Sequence, residues 1–161
     1  MREAVVLAGG FGTRLRQVVP DCPKPMAPVA GRPFLEILLN SLAKNGFTRV
    51  VLSLGFQAEK ISTHFGSRFA GMDLEYVVES SPLGTGGGLR LALTHCKQDH
   101  VFVFNGDTIL DFDVERVESQ WQNRSNPIIV ARQVADTTRY GCLHVQNDLV
   151  IALGEKGEVG P

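Results

Sequence analysis

Three glycines within four positions, Gly9, Gly10 and Gly12, follow a short apolar run and lead into Thr13 and Arg14; Lys24 comes ten residues after Arg14, between two prolines. Glycine lets backbone amides approach an anion without a Cβ in the way, and the two cations bring positive charge to the same stretch. Residues 7–15 and 23–26 therefore read as a phosphate-holding loop, with Leu7, Ala8, Gly9, Gly10, Gly12, Thr13 and Arg14 as its candidate residues. The spacing is not G-x-x-x-x-G-K-[ST], because no Lys-Ser or Lys-Thr follows, nor G-x-G-x-x-G, because Leu15 takes the place of the last glycine. Further along, residues 101–104 are all apolar and run into Asn105, Gly106 and Asp107, which sets a carboxylate just past a strand end. A hard divalent cation such as Mg²⁺ binds through one or two carboxylates plus substrate phosphates, so Asp107 is the candidate metal ligand. A turn or a helix cap is the alternative for such an Asp; Asp113 suits an N-cap and Asp111 a solvated turn. A second glycine cluster, Gly84 and 86–88, sits with Thr85 behind Glu79 at the entrance to a helix. Four glycines there cost folding free energy unless a ligand or a neighbour needs the room.

These residues need a scaffold, and the hydrophobic pattern supplies one. Residues 3–8, 49–54, 74–78, 101–104 and 127–134 read as strands, and 33–45, 58–65, 86–96 and 113–122 as helices. Phe34, Ile37, Leu38 and Leu42 are expected to form the inner face of the first helix, and Ile61 and Phe65 that of the second. The run 101–104 is expected to be buried on both faces. Strands alternating with helices predict an α/β fold, a parallel sheet covered on both faces in three layers, α/β/α. Residues 142–145 and 149–153, separated by Gln146, Asn147 and Asp148, predict a hairpin. The turn-rich, charged residues 155–161 are neither a helix nor a strand that would close a domain, so the fold is expected to be incomplete at the C-terminus.

Composition bounds the partners. The 161 residues are 43% hydrophobic and 20% charged, with a formal charge of −1, which fits one compact domain and offers no global positive field for nucleic acid or an anionic membrane. Any anionic ligand must be held by local cations, and residues 1–32 carry Arg2, Arg14, Arg16, Lys24 and Arg32 against only Glu3 and Asp21. No apolar run is long enough to span a bilayer as a helix. Cys22, Cys96 and Cys142 are odd in number and widely spaced, as expected of free thiols in the cytoplasm. His64, His95, His100 and His144 lack metal-ligand spacing.

Residues 7–15 joined to Pro23, Lys24, Pro25, Met26, Ala27 and Pro28 resemble the signature of the sugar-1-phosphate nucleotidyltransferases. The wording of residues 24–29 and 31–36 is most similar to the guanylyltransferase branch that takes a heptose 1-phosphate, and the resemblance runs from Val5 to about Lys156. It implies a single Rossmann-like nucleotidyltransferase domain over 1–161, with a nucleotide-binding part over about 1–110 and a sugar-binding part over about 111–161. It implies Mg²⁺, a nucleoside triphosphate and a sugar 1-phosphate as ligands, joined as an NDP-sugar with loss of pyrophosphate, and leaves a homo-oligomer open. By matching position, Gly9, Gly10 and Gly12 would cradle the phosphates, Arg14 would hold the β and γ phosphates, and Lys24 would bridge the α phosphate and the sugar phosphate. Gly141 would admit the sugar, Glu155 would accept its hydroxyls and Lys156 would pair with its phosphate. The loop from Glu79 through Gly84 and Thr85 would hold the base. An ionised carboxylate can accept both N1–H and N2–H of guanine, whereas uracil or thymine suits an amide, so Glu79 points to GTP; the alternative is an exposed charge at a strand end. A uridylyl- or other nucleotidyltransferase acting on a hexose or amino-sugar 1-phosphate, and a nucleotide-binding fragment with little catalysis, are the competing readings.

Overall fold

The computed structural model describes residues 1–10, 22–136 and 140–154. The chain divides into two compact units, Met1–Asp111 and Phe112–Pro161. The first contains β1 (Arg2–Ala8), a single 3-10 turn at Lys24–Met26, the two-residue strands β2 (Pro28–Val29) and β3 (Arg32–Pro33), α1 (Phe34–Lys44) and β4 (Phe47–Leu54). It continues through α2 (Ala58–Phe65), β5 (Arg68–Phe69), β6 (Met72–Val78), α3 (Gly84–Leu93) and β7 (Phe102–Asn105).

Five of these strands form one sheet in the order β5-β6-β4-β1-β7. β6, β4, β1 and β7 are parallel, and β5 pairs antiparallel at one edge. The chain moves outward from β1 to β4 to β6 and then returns to the other side of β1 to form β7. α3 packs on the face of Val5, Val51 and Val77, and the right-handed rule for parallel crossovers assigns α1 and α2 to the other face, the three-layer Rossmann-like arrangement expected. The reversal of direction falls between β1 and β7, and the crevice at the carboxyl ends of such strands is where open α/β sheets bind ligands.

Side chains alternate between the faces of a strand, so Val5, Val51 and Val77 share one face and pack with Ala92 of α3, flanked by Leu89 and Leu91. On α1 the buried residues are Leu35, Leu38, Leu39 and Leu42. The expected stripe of Phe34, Ile37, Leu38 and Leu42 is thus rotated: Phe34 and Ile37 are only half-buried. Apolar residues at 34, 35, 37, 38, 39 and 42 permit two stripes, and the one that keeps i, i+3, i+4, i+7 spacing wins. On α2, Ile61 and Phe65 are buried as expected, and Phe65 stacks edge-on against Phe69 at 5.1 Å. β7 is not buried on both faces: Phe102 and Phe104 lie edge-on to Phe47, at 5.3 and 5.7 Å, while Val103 on the opposite face is 43% exposed. Among the described residues β7 is the outer strand of its sheet, with β1 as its one neighbour.

At the amino ends of the strands Glu3 is buried and forms an ion pair with the buried Arg49. Its other oxygen, Oε2, accepts the backbone N–H groups of Lys97 and Gln98 at 2.8 and 2.9 Å. Arg49 also reaches Glu75 at 3.5 Å, and His95 approaches the same carboxylate at 3.3 Å.

The second unit contains α4 (Val114–Arg124), β8 (Cys142–Gln146) and β9 (Leu149–Gly154). Asp113 caps α4 as predicted, its side chain accepting the Arg116 N–H at 3.0 Å. β8 and β9 form the expected hairpin, turned through Asn147 and Asp148, whose φ values of 50° and 62° match the type I′ turn that suits twisted strands. Residues 127–134, expected as a strand, have no ladder partner among the described residues. Their apolar alternation gives them the side chains of a strand, but a strand also requires a neighbour's backbone. No helix among the described residues is long and apolar enough to cross a membrane.

Candidate active site

Read along the carboxyl edge of the first unit's sheet, the strand ends bring up Glu79 after β6, Ser53 to Gly55 at β4, Ala8 to Gly10 at β1, and Gly106 with Asp107 after β7. Three strand spacings separate β6 from β7, about 14 Å across. The residues predicted to do chemistry in this unit and described in the structure thus lie along one edge.

On the β1–β7 side, the N–H of Gly106 donates to the Leu7 carbonyl at 2.8 Å, extending the ladder past the last strand residue. A Cβ on Gly106 would stand 2.9 Å from the Ala8 Cβ and 3.0 Å from the Leu7 oxygen, so only glycine lets the chain follow β1 this closely. Asp107 therefore emerges beside the end of β1. Lys24, on the 3-10 turn, forms an ion pair through Nζ with Asp107 Oδ2, and Thr108 donates its hydroxyl to Oδ1 at 3.1 Å. The hydrogen bond from Lys24, reinforced by its charge and by Thr108, holds the Asp107 carboxyl below the usual carboxylate range against a partial desolvation penalty. A half-exposed, ionised carboxylate beside the carboxyl end of β1 is a fitting donor for a hard divalent cation. Among the described residues no three His, Cys, Asp or Glu side chains converge, so phosphate oxygens and water would complete the coordination.

On the β6–β4 side, the Glu79 N–H donates to the Leu54 carbonyl at 2.9 Å, continuing the β4–β6 ladder by one residue. Its carboxylate is not a free strand-end charge. Oε1 accepts the Ser53 hydroxyl at 3.3 Å and Oε2 accepts the Leu83 N–H at 3.0 Å, just ahead of α3. A Cβ on Gly9 would fall 2.9 Å from Glu79 Oε1, and one on Gly88 only 2.4 Å from it. The two glycine clusters, distant in sequence, meet at this one carboxylate.

The remaining candidates divide. Gly10, Gly84 and Gly86 border open space, and Thr85 is exposed in the first turn of α3. Gly12, Thr13, Arg14, Glu155 and Lys156 lie outside the described residues. Gly141, in the second unit, backs onto the Gly154 carbonyl, 3.0 Å from where its Cβ would be, which lets the hairpin close. Sequence reasoning missed Ser53 and Gly55. The signal for Gly55 was a glycine directly after an apolar strand: its N–H borders Gly9, and a Cβ there would reach 2.6 Å from the Gly9 carbonyl. Ser53 was a lone hydroxyl in an apolar run. Cys22, Cys96 and Cys142 are free thiols, and burial pushes those of Cys22 and Cys96 up.

The sequence and the fold have counterparts in known proteins. A family model described as nucleotidyl transferase matches residues 3–159. The D-glycero-alpha-D-manno-heptose 1-phosphate guanylyltransferase of Campylobacter jejuni is 39% identical over 155 residues, 96% of this chain and 68% of that enzyme. The mannose-1-phosphate guanylyltransferase of Mycobacterium tuberculosis is 38% identical over 162 residues, 99% of this chain and 45% of that enzyme. The crystal structure of HddC from Yersinia pseudotuberculosis complexed with GMP-PN superposes with a TM-score of 0.82 at 32% identity, covering 99% of this chain and 72% of that one. The glycine-rich end of β1, the Lys24–Asp107 pair beside it and a family match across nearly the whole sequence agree, and the chain belongs to the nucleotidyl transferase family.

Proposed function

We propose that the chain is a guanylyltransferase that joins GTP to D-glycero-α-D-manno-heptose 1-phosphate, giving GDP-heptose and pyrophosphate. The observation that carries the choice of base is the Glu79 carboxylate, held between the two glycine clusters, where its partners among the described residues leave one lone-pair site of each oxygen to offer to N1–H and N2–H of guanine. The heptose rests on the likeness to the Campylobacter jejuni enzyme.

In this reading the nucleotide lies across the strand ends. Its base lies by Glu79, Gly84 and Thr85, and its phosphates lie along Leu7, Ala8, Gly9, Gly10, Gly12, Thr13 and Arg14. Gly141, Glu155 and Lys156 serve the sugar and its phosphate. An oxygen of the sugar phosphate attacks the α phosphorus in line; the new P–O bond forms as the bond to the β-phosphate oxygen breaks, and pyrophosphate leaves with that electron pair. The attacking oxygen is already ionised near neutrality, so no general base is needed. The main barrier is repulsion between two polyanions, which Lys24 answers with charge aimed at their meeting point. Asp107 would hold Mg²⁺, which when bound neutralises phosphate oxygens. We place the reaction in the cytoplasm, where the three free thiols would persist.

The test is pyrophosphate release with each nucleoside triphosphate against heptose, mannose and glucose 1-phosphates in Mg²⁺, with mass spectrometry of the product. GDP-heptose should form fastest. A faster reaction with UTP or dTTP would overturn the base, and one with a hexose 1-phosphate would overturn the sugar.

A further inference from the structure

Ser53 is 1% exposed and lies between Leu52 and Leu54, both fully buried, near the end of β4. A hydroxyl taken out of water in such a strand destabilises the fold unless it finds a partner, and the partner here is Glu79 Oε1 at 3.3 Å. Alternation places Ser53 with Val51 on β4, and Val77 with Glu79 along β6, on the face covered by α3. Leu83 fixes the other oxygen of the same carboxylate. The two donors differ in kind: a backbone N–H can only donate, whereas a serine hydroxyl can donate or accept.

We infer that Ser53 is a positioning residue for base selection, acting through Glu79; this rests on the guanine reading above. By donating to Oε1 while Leu83 donates to Oε2, Ser53 fixes the rotation of the carboxylate, and among the described residues one acceptor site is left on each oxygen. Two parallel acceptors are what the adjacent N1–H and N2–H donors of guanine require. The pair also fixes the polarity of an amide at this position. The amide oxygen must face the Leu83 N–H, its NH₂ must face Ser53, and Ser53 then switches to accepting. The edge presented becomes one acceptor beside one donor, which suits the mixed edge of a pyrimidine rather than guanine.

The experiment is calorimetry of GTP and UTP binding to the full chain carrying Ser53→Ala, Ser53→Thr, Ser53→Cys or Glu79→Gln, with thermal melting of each. Ser53→Ala should weaken GTP about tenfold, the worth of one hydrogen bond to a charged group, and leave UTP unchanged. Ser53→Thr should restore GTP binding, and Ser53→Cys, a weak donor of similar volume, should fall between them and carry the test should the alanine variant not fold. An unchanged GTP-to-UTP ratio in Ser53→Ala, or equal weakening of both nucleotides, would overturn the role of Ser53 while Glu79→Gln still erodes the preference. A wild type without GTP preference, or a Glu79→Gln variant that retains it, would overturn the reading of Glu79 itself and the inference with it.

Discussion

Lys24 Nζ and Asp107 Oδ2, 83 residues apart in the chain, meet in an ion pair at the carboxyl end of β7. The two groups proposed for phosphate and for metal are thus each other's partner before any ligand arrives. If Asp107 holds a divalent cation, that cation would compete with the Lys24 ammonium for the carboxylate, and an ammonium released from it would be available to phosphate.

Removing the ammonium should therefore have opposite effects on binding and on turnover. Lys24→Met is expected to tighten Mn²⁺ binding, followed by electron paramagnetic resonance, by about two- to fivefold, the scale of a half-exposed ion pair. Turnover at saturating substrates should fall far more than nucleotide affinity, because the charge is needed most where the phosphates converge. Asp107→Asn should keep the fold and lose the Mn²⁺ signal. Unchanged Mn²⁺ affinity in Lys24→Met would show that the pair does not compete with metal.

The same pair sets a pH window. Asp107 is held below the ordinary carboxylate value, chiefly by the Lys24 hydrogen bond, so it favours the fold above about pH 3.9 and that contribution fades as pH falls through the lower folded value. A carbon-13 NMR titration of the metal-free protein should find Asp107 fully ionised from pH 5 to 8. In Lys24→Met its midpoint should rise towards the usual range.

Gly88→Ala separates stability from base choice. The added methyl would meet Glu79 Oε1 at 2.4 Å, the far end of a flexible side chain, which can swing away. Alanine in a helix is favoured over glycine by up to about 1 kcal/mol, but the swing leaves the buried Ser53 hydroxyl without its Glu79 partner at a cost of about 1–3 kcal/mol, so the protein should still fold with a modestly lower melting temperature. The preference for GTP over UTP in calorimetry should nonetheless collapse, as in Glu79→Gln.

Arg49→Met should be costly although it lies far from the chemistry. It strips the buried Glu3 carboxylate of its charged partner, a change expected to destabilise the protein by about 3–5 kcal/mol in a urea melt. Replacing both partners by apolar residues of similar volume should recover part of that loss.

The sequence was most legible where one segment's own pattern decides its structure. The apolar stretch 4–8 gave β1, Ile61 and Phe65 gave the inner face of α2, and Asp113 announced α4. It was least legible where the outcome depends on a distant partner. Residues 127–134 have the composition of a strand and no ladder partner among the described residues, and Val103 looked doubly buried because nothing local says that β7 is an outer strand. In the site, the glycines, Lys24 and Asp107 stood out by type and spacing, and Glu79 through the family resemblance. That Gly88 serves Glu79, and that Ser53 holds it, follows from β4, β6 and α3 converging, a fact carried by no single segment.

The buried wiring of Glu3 has a further consequence. It ties β1 to β4 and to the backbone of Lys97 and Gln98 at the amino ends of the strands, while the carboxyl ends carry glycines and a half-exposed ion pair. Hydrogen exchange along β1 should therefore be graded, slow at Val5 and Val6 and fast by Gly9 and Gly10. The edge proposed to hold the nucleotide can rearrange over a frame that stays shut.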